Sequence, residues 1–434
     1  MRIVLASVGS LGDIHPFIAL GQALKQRGHA VTLVCNDDHA DSVRQAGVDF
    51  ASTGPDVNLA AATASPHLWD PIKGLGVFWK HMLAPAIAPT FRQIARIAAD
   101  GPCVVVAPPV MFGARIARDA LGVRLISAYT APAVLRTDRA PVTMAHWRLP
   151  VGTPAGLVRW AWRAMDQHKL HPMAARTLQQ QATQLGGSPP PPGVSLFGDW
   201  MHSPDGGLSL FPEWFAPARP GWPASMHFGG FPLYHGDTEA ALPERVTRFL
   251  SAGDAPVVFM PGSAMRHAAA FFAAALASCQ ALRLRALFLT PHAEQLPQSL
   301  PDSVLHADYL PFAGILPRSR ALVHHGGIGS CAQALHAGVP QLLMPMAHDQ
   351  FDNAACLQRL GVGRALRPRH FSGERLTQML HAMLATPQGA LAQCRARLLA
   401  EPALPRLCAL VEAMAGGGDG HGNTPPSRCG SGPG

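Results

Sequence analysis

Short apolar runs alternate with amphipathic segments along most of the chain. Residues 2–8 read as a buried strand, residues 16–27 as a helix with Ile14, Phe17, Ile18 and Leu24 on one face, and residues 31–35 as a second strand. Pro16 falls where a first helical position tolerates a missing N–H, and Gly28 where a helix ends on a left-handed residue. Residues 104–107 and 125–128 repeat the short apolar strand around a helical segment at 113–121. Strand, helix, strand with short connections is the pattern of a parallel sheet covered on both faces. Between 186 and 243 the chain is rich in proline and glycine, with one strand at 207–211. The alternation then resumes, with strands at 257–260, 286–289 and 321–324 and a helix at 268–282. This predicts an α/β protein of two halves: a first domain over 1–216, a linker over 217–243, a second domain over 244–415 and a disordered Gly/Ser/Pro-rich tail over 416–434.

Composition narrows the class. With 434 residues, 48% of them hydrophobic, the chain can bury full cores and is not disordered. Its 8 cysteines include no Cys-x-x-Cys pair, which argues against a disulfide scaffold or structural zinc and for free thiols. The net charge of +8 comes from arginines scattered singly, without the interleaved basic and aromatic residues of a nucleic-acid binder. An anionic small molecule remains compatible with it. The apolar start is too short for a signal peptide, and the most lipid-like run, 268–276, is far below the ~20 residues of a membrane span. A cytoplasmic protein is the expectation. Residues 66–92 carry Trp69, Phe78 and Trp79, and residues 146–183 carry Trp147, Trp160 and Trp162 among Arg148, Arg159, Arg163 and Lys169. Such aromatics serve as core, as an apolar acceptor pocket, or as a face for peripheral membrane contact.

Three strand–helix junctions carry candidate chemistry, since parallel sheets bind ligands at the carboxyl ends of their strands. At the first, Gly9-Ser10-Leu11-Gly12-Asp13 permits a tight turn, and Asp13 either caps the helix or works as an acid or base. A dinucleotide site with Asp37 or Asp38 on the ribose is an alternative, but the third glycine of Gly-x-Gly-x-x-Gly is missing. At the second, Gly262-Ser263 suits backbone contact with phosphate as well as an ordinary turn. At the third, His324-His325-Gly326-Gly327-Ile328-Gly329-Ser330 leads from strand to helix. Ser330 and Gln333 fit a capping box, and the helix N-terminus is also a ready anion site. Asp349 and Gln350, after the next strand, offer acceptors and donors for sugar hydroxyls, or simply form a polar loop.

These residues bring a resemblance. Gly338-Val339-Pro340, followed by Pro345 and Asp349-Gln350-Phe351-Asp352-Asn353-Ala354, resembles the C-terminal donor signature of family 1 glycosyltransferases. His325 to Ser330 occupies the family's His-containing turn, and Tyr309-Leu310-Pro311-Phe312 lies where the family has Trp-x-Pro-Gln. Residues 9–17 resemble the N-terminal loop of its bacterial members. Leu68-Trp69-Asp70-Pro71, Trp200-Met201-His202-Ser203-Pro204 and residues 211–217 are similar to the rhamnosyltransferases of rhamnolipid synthesis.

The resemblance implies two facing Rossmann-like domains (the GT-B fold) and an inverting displacement at the sugar's anomeric carbon. It implies Asp13 as general base, with His15 second, and no metal or other cofactor beyond a nucleotide-sugar co-substrate. Gly12, Gly262, Ser263, His325, Gly327, Gly329 and Ser330 would hold the diphosphate side of the donor, Tyr309 and Phe312 its base, and Asp349 and Gln350 its sugar. Trp69, Phe78 and Trp79 would meet an apolar hydroxylated acceptor. The donor implied is dTDP-L-rhamnose and the acceptor a 3-(3-hydroxyalkanoyloxy)alkanoate. A UDP-sugar enzyme acting on a sterol, carotenoid or polyketide is the alternative, and an NAD(P)-dependent oxidoreductase or a non-catalytic nucleotide-sugar binder are those from other classes.

Overall fold

The computed structural model describes residues 1–70, 72–138, the backbone of 143–144 and 147–148, and residues 152–234, 236 and 242–416. The expected tail beyond Gly416, the side chain of Trp147 and Pro71 lie outside the described residues. Among the described residues nine strands precede the second half: β1 (Arg2–Ala6), β2 (Ala30–Cys35), β3 (Asp49–Ser52), β4 (Cys103–Ala107), β5 (Arg124–Tyr129), β6 (Thr143–Met144), β7 (Trp147–Arg148), β8 (Gly207–Ser209) and β9 (Met226–Phe228). Seven of them form a parallel sheet in the order β3-β2-β1-β4-β5-β8-β9, and β6 and β7 pair separately as an antiparallel ribbon. The second half adds β10 (Val257–Met260), β11 (Ala286–Leu289), β12 (Val304–Ala307), β13 (Ala321–His324), β14 (Gln341–Leu343) and β15 (Gly363–Ala365), a parallel sheet ordered β12-β11-β10-β13-β14-β15. Both orders reverse next to the first strand of their sheet, which opens a crevice at the strand ends. Central strands such as β4 are buried along their whole length, as sheets covered by helices on both faces require.

Several sequence expectations change. The first helix spans Leu11–Gln26, so Pro16 sits inside it rather than at its start. The reason is that Asp13 reaches back to the Ser10 N–H at 2.8 Å and starts the helix one turn early. The stretch expected as linker contains β9, which completes the first sheet. The expected end of the second domain is also displaced: the final helix, Ala403–Gly416, returns to the first sheet. Leu407, Cys408 and Val411 are fully buried there with Ile3, Leu5 and Phe17. Glu412 fixes it through Arg27 at 2.6 and 2.7 Å and His29 at 2.8 Å. Close approach is enforced at Gly229, where a Cβ would lie 2.1 Å from Leu407 Cδ2.

This packing makes a direct prediction. Leu407→Ala removes a fully buried side chain and lowers unfolding free energy by about 2–5 kcal/mol in urea titration. Leu399→Ala, at a position 51% exposed, changes it by under about 0.5 kcal/mol.

Candidate active site

The strand ends of the two sheets face a shared cavity of about 1730 Å³. On the first wall, Gly9 turns the chain from β1 into the helix at φ +142°, and a Cβ there would lie 2.2 Å from Asp13 Oδ2. The carboxylate therefore packs directly against bare backbone. Its Oδ2 accepts from the Ser10 N–H at 2.8 Å and the Ser10 hydroxyl at 3.1 Å. Desolvation raises the Asp13 pKa above the usual carboxylate value, against the Ser10 hydrogen bonds and the nearby His39. His15, on the next face of the helix, packs against Tyr234 with ring centroids 4.8 Å apart. Burial first, then His39, lowers its pKa to about 4, so it is a neutral imidazole at neutral pH.

Asn36 and His39 hold this loop from behind, a role nothing in their sequence context signalled. The Gly9 N–H donates to Asn36 Oδ1 at 3.2 Å, and His39 Nε2 bonds the Gly9 carbonyl at 2.9 Å. Asp38 accepts from Asn36 Nδ2 at 2.8 Å. The carboxylate weighed as a ribose contact thus buttresses the Asp13 turn.

On the opposite wall, β13 delivers the two adjacent histidines to different environments. His324 is fully buried; it accepts from the Gly326 N–H through Nδ1 at 3.2 Å, which leaves Nε2–H to donate to Gln341 at 3.1 Å. His325 lines the cavity. Its ring lies over Gly262, 3.4 Å from where a Cβ would be, and its Nε2 leaves no room for a side chain at Gly327. Burial lowers the His325 pKa to about 4, and among the described residues its Nδ1 has no hydrogen-bond partner.

The following helix, Ile328–Ala337, has Gly327 as its N-cap, which corrects the capping-box expectation. Ser330 is in the first turn, and Gln333 instead donates to the Tyr234 carbonyl at 3.0 Å, tying the interdomain segment to the second domain. Gly329 and Ser330 line the cavity, as do Gly12 and Ser263.

Asp349 closes this wall. It accepts from Asn353 Nδ2 at 2.7 Å and lies near the start of the helix Ile328–Ala337. Burial pushes its pKa up to about 6, and the charge of Asp13 pushes in the same direction. Gln350 accepts the Met346 and Ala347 N–H groups at 2.8 and 3.2 Å, leaving its amide NH2 to donate. Tyr309 and Phe312 stand at the cavity edge, and Tyr309 is 59% exposed. Desolvation and the neighbouring Tyr234 raise the Tyr309 pKa.

The three expected acceptor aromatics separate. Trp79 is 6% exposed and packs edge-on to Phe112 and Phe197 in the first domain's core, because its helix turns it away from the cavity. Trp69 and Phe78 do line the cavity, but both rings contact His348 of the second domain, at 5.9 and 6.4 Å. Among the described residues no group of three or more His, Cys, Asp or Glu is arranged to hold a metal ion, and no helix is long and apolar enough to cross a membrane.

Residues 3–114 match the glycosyltransferase family 28 N-terminal domain, and residues 286–414 the C-terminal domain of erythromycin biosynthesis protein CIII-like chains. O-mycaminosyltylonolide 6-deoxyallosyltransferase of Streptomyces fradiae is 29% identical, covering 96% of this chain and 98% of its own. The solved glycotransferase of kitacinnamycin has a TM-score of 0.71 at 21% identity, over 95% of this chain and 99% of its own. Glycosyltransferase VinC, solved with dTDP, has a TM-score of 0.68 at 19% identity, over 96% and 99%. The fold expected from the motifs is the fold found. The chain belongs to the family 1 glycosyltransferases, with the GT-B architecture of two Rossmann-like domains.

Proposed function

We propose that this enzyme moves a hexose from a thymidine diphosphate sugar to a hydroxyl of a large apolar acceptor, of the kind its macrolide-acting relative uses. One observation carries the reading. A single cavity of about 1730 Å³ has a carboxylate on a helix N-terminus at one wall and an anion site with Asp349 and Gln350 at the other. That volume exceeds the roughly 300–1,000 Å³ of a one-ligand pocket, so donor and acceptor fit side by side. The thymidine nucleotide is supported by the dTDP bound to VinC.

In this reaction Asp13 takes the acceptor proton as the oxygen attacks the anomeric carbon, opposite the departing diphosphate. Its raised pKa suits a base that must gain a proton in the transition state. The leaving diphosphate's charge falls on the free N–H groups of the helix Ile328–Ala337, on Ser330 and on the unpaired Nδ1 of His325, in its N–H form. These groups are proposed to do the neutralising without a metal. Asp349 and Gln350 bind sugar hydroxyls, and Tyr309 and Phe312 flank the base.

A hydroxyalkanoate acceptor, with L-rhamnose as the sugar, is the second reading. It is favoured by the exposed Leu157 and Trp160 beside Arg159 and Arg163, on a helix whose other face lines the cavity. Such a face suits contact with an anionic membrane surface.

The test is transfer, read by mass spectrometry, from dTDP-L-rhamnose, dTDP-glucose and UDP-glucose to macrolide aglycones and hydroxyalkanoyloxyalkanoates, with and without EDTA. A glycosylated macrolide, formed equally with EDTA, is the expected product; a product only from the hydroxyalkanoates selects the second reading, and none from any pair overturns both. Asp13→Asn lowers kcat about 10²–10⁴-fold while donor affinity by calorimetry stays nearly constant; unchanged turnover places the base elsewhere. Asp349 is neutral below about pH 6 and charged above it, beside the donor's phosphates. Binding of dTDP-L-rhamnose, which carries no group titrating in that range, weakens as the pH rises through about 6, and Asp349→Asn removes the dependence.

A further inference from the structure

The segment after β3 lines the cavity and is held by the second domain. The Trp69 indole packs against that domain's hydrophobic core. The His348 ring lies 5.9 Å from it in an edge-on arrangement and 6.4 Å from Phe78, and His348 Nε2 bonds the Leu68 carbonyl at 3.2 Å. Gly74 is bare where the contact is tightest: a Cβ there would lie 2.3 Å from the Leu68 carbonyl oxygen and 3.4 Å from His348 Cε1.

Two features of this clasp carry uncompensated free energy. His348 has φ +55°, a left-handed conformation that a non-glycine residue adopts at a cost. The Trp69 indole N–H is buried and, among the described residues, has no hydrogen-bond partner. Tryptophan N–H groups usually find a partner when buried; Trp222 also lacks one among the described residues, but only Trp69 of the two lines the cavity, where a ligand acceptor can reach. The next two residues after His348 are Asp349 and Gln350, where the proposed function places the transferred sugar.

We propose that Trp69 is a specificity-determining residue for the donor: its indole N–H donates to a hydroxyl of the bound sugar. The first domain thereby completes a sugar pocket whose other polar groups belong to the second. His348, which also lines the cavity, positions the indole and shifts to admit the hydroxyl. The sugar's oxygen then satisfies the donor that is left unpaired without it. This inference rests on the glycosyltransferase donor reading above.

Calorimetry with dTDP alone and with dTDP-L-rhamnose, dTDP-glucose and UDP-glucose tests it on the full chain. Trp69→Phe keeps a ring against His348 and removes only the N–H. The expected result is unchanged affinity for dTDP and a loss of roughly three- to tenfold for the sugar nucleotide that the wild type prefers. His348→Gly, which suits the left-handed backbone and removes the ring that holds the indole, is expected to show the same sugar-selective loss. If Trp69→Phe keeps the full affinity difference between nucleotide and sugar nucleotide, or loses dTDP and sugar nucleotide equally, the proposal is overturned while the donor reading stands. If the wild type binds none of the four, the donor reading falls and this inference with it.

Discussion

Each wall of the cavity carries a helix whose first N–H groups point at buried space, and each has been given a carboxylate. Asp13 satisfies the Ser10 N–H before one helix, and Asp349 lies near the start of the other, held by Asn353. A helix terminus left dry and unpaired is costly, and a carboxylate removed from water is costlier still. Bringing them together settles both, but only in part, since burial still pushes both acids above their ordinary pKa. The chemistry uses what is left over. In the proposed reaction one incompletely stabilised carboxylate serves as the base, and the other sits where the donor's anion would approach.

Glycine backbone makes these encounters possible. Gly9 lets the Asp13 carboxylate lie against the chain, while Gly262 and Gly327 bracket the His325 ring so closely that side chains have no room. The histidine is held by shape, and among the described residues its Nδ1 has no hydrogen-bond partner. Behind the loops, fully bonded groups such as His324 with Gln341, and Asn36 with Gly9, hold the turns rigid. Of the two adjacent histidines, the one facing the core is satisfied and the one facing the cavity keeps an unpaired nitrogen among the described residues.

The alternation of apolar strands and helices was legible because parallel sheets bury their strands end to end, and the junctions were legible because glycine and polar residues interrupt that pattern. Asp13, His325 and Asp349, all of which line the cavity, stand out in the sequence for this reason: a charged or imidazole side chain soon after an apolar run has few structural uses. Trp79 misled because an aromatic reads the same whether its helix turns it toward the cavity or the core. His348 and Tyr234 were passed over because their partners, Trp69 and His15, lie hundreds of residues away in sequence. The helix Ala403–Gly416 was misassigned for the same cause: its apolar face is plain in the sequence, but the sheet it covers is not.

That returning helix has a consequence for how the chain is made. The first sheet emerges from the ribosome with an uncovered flank, because Leu407, Cys408 and Val411 are synthesised only after the entire second sheet. The nascent amino-terminal half must wait as an incomplete intermediate, its apolar surface open to chaperones or to neighbouring polysomes. Final locking of the enzyme is thus a late event that follows the second half rather than preceding it.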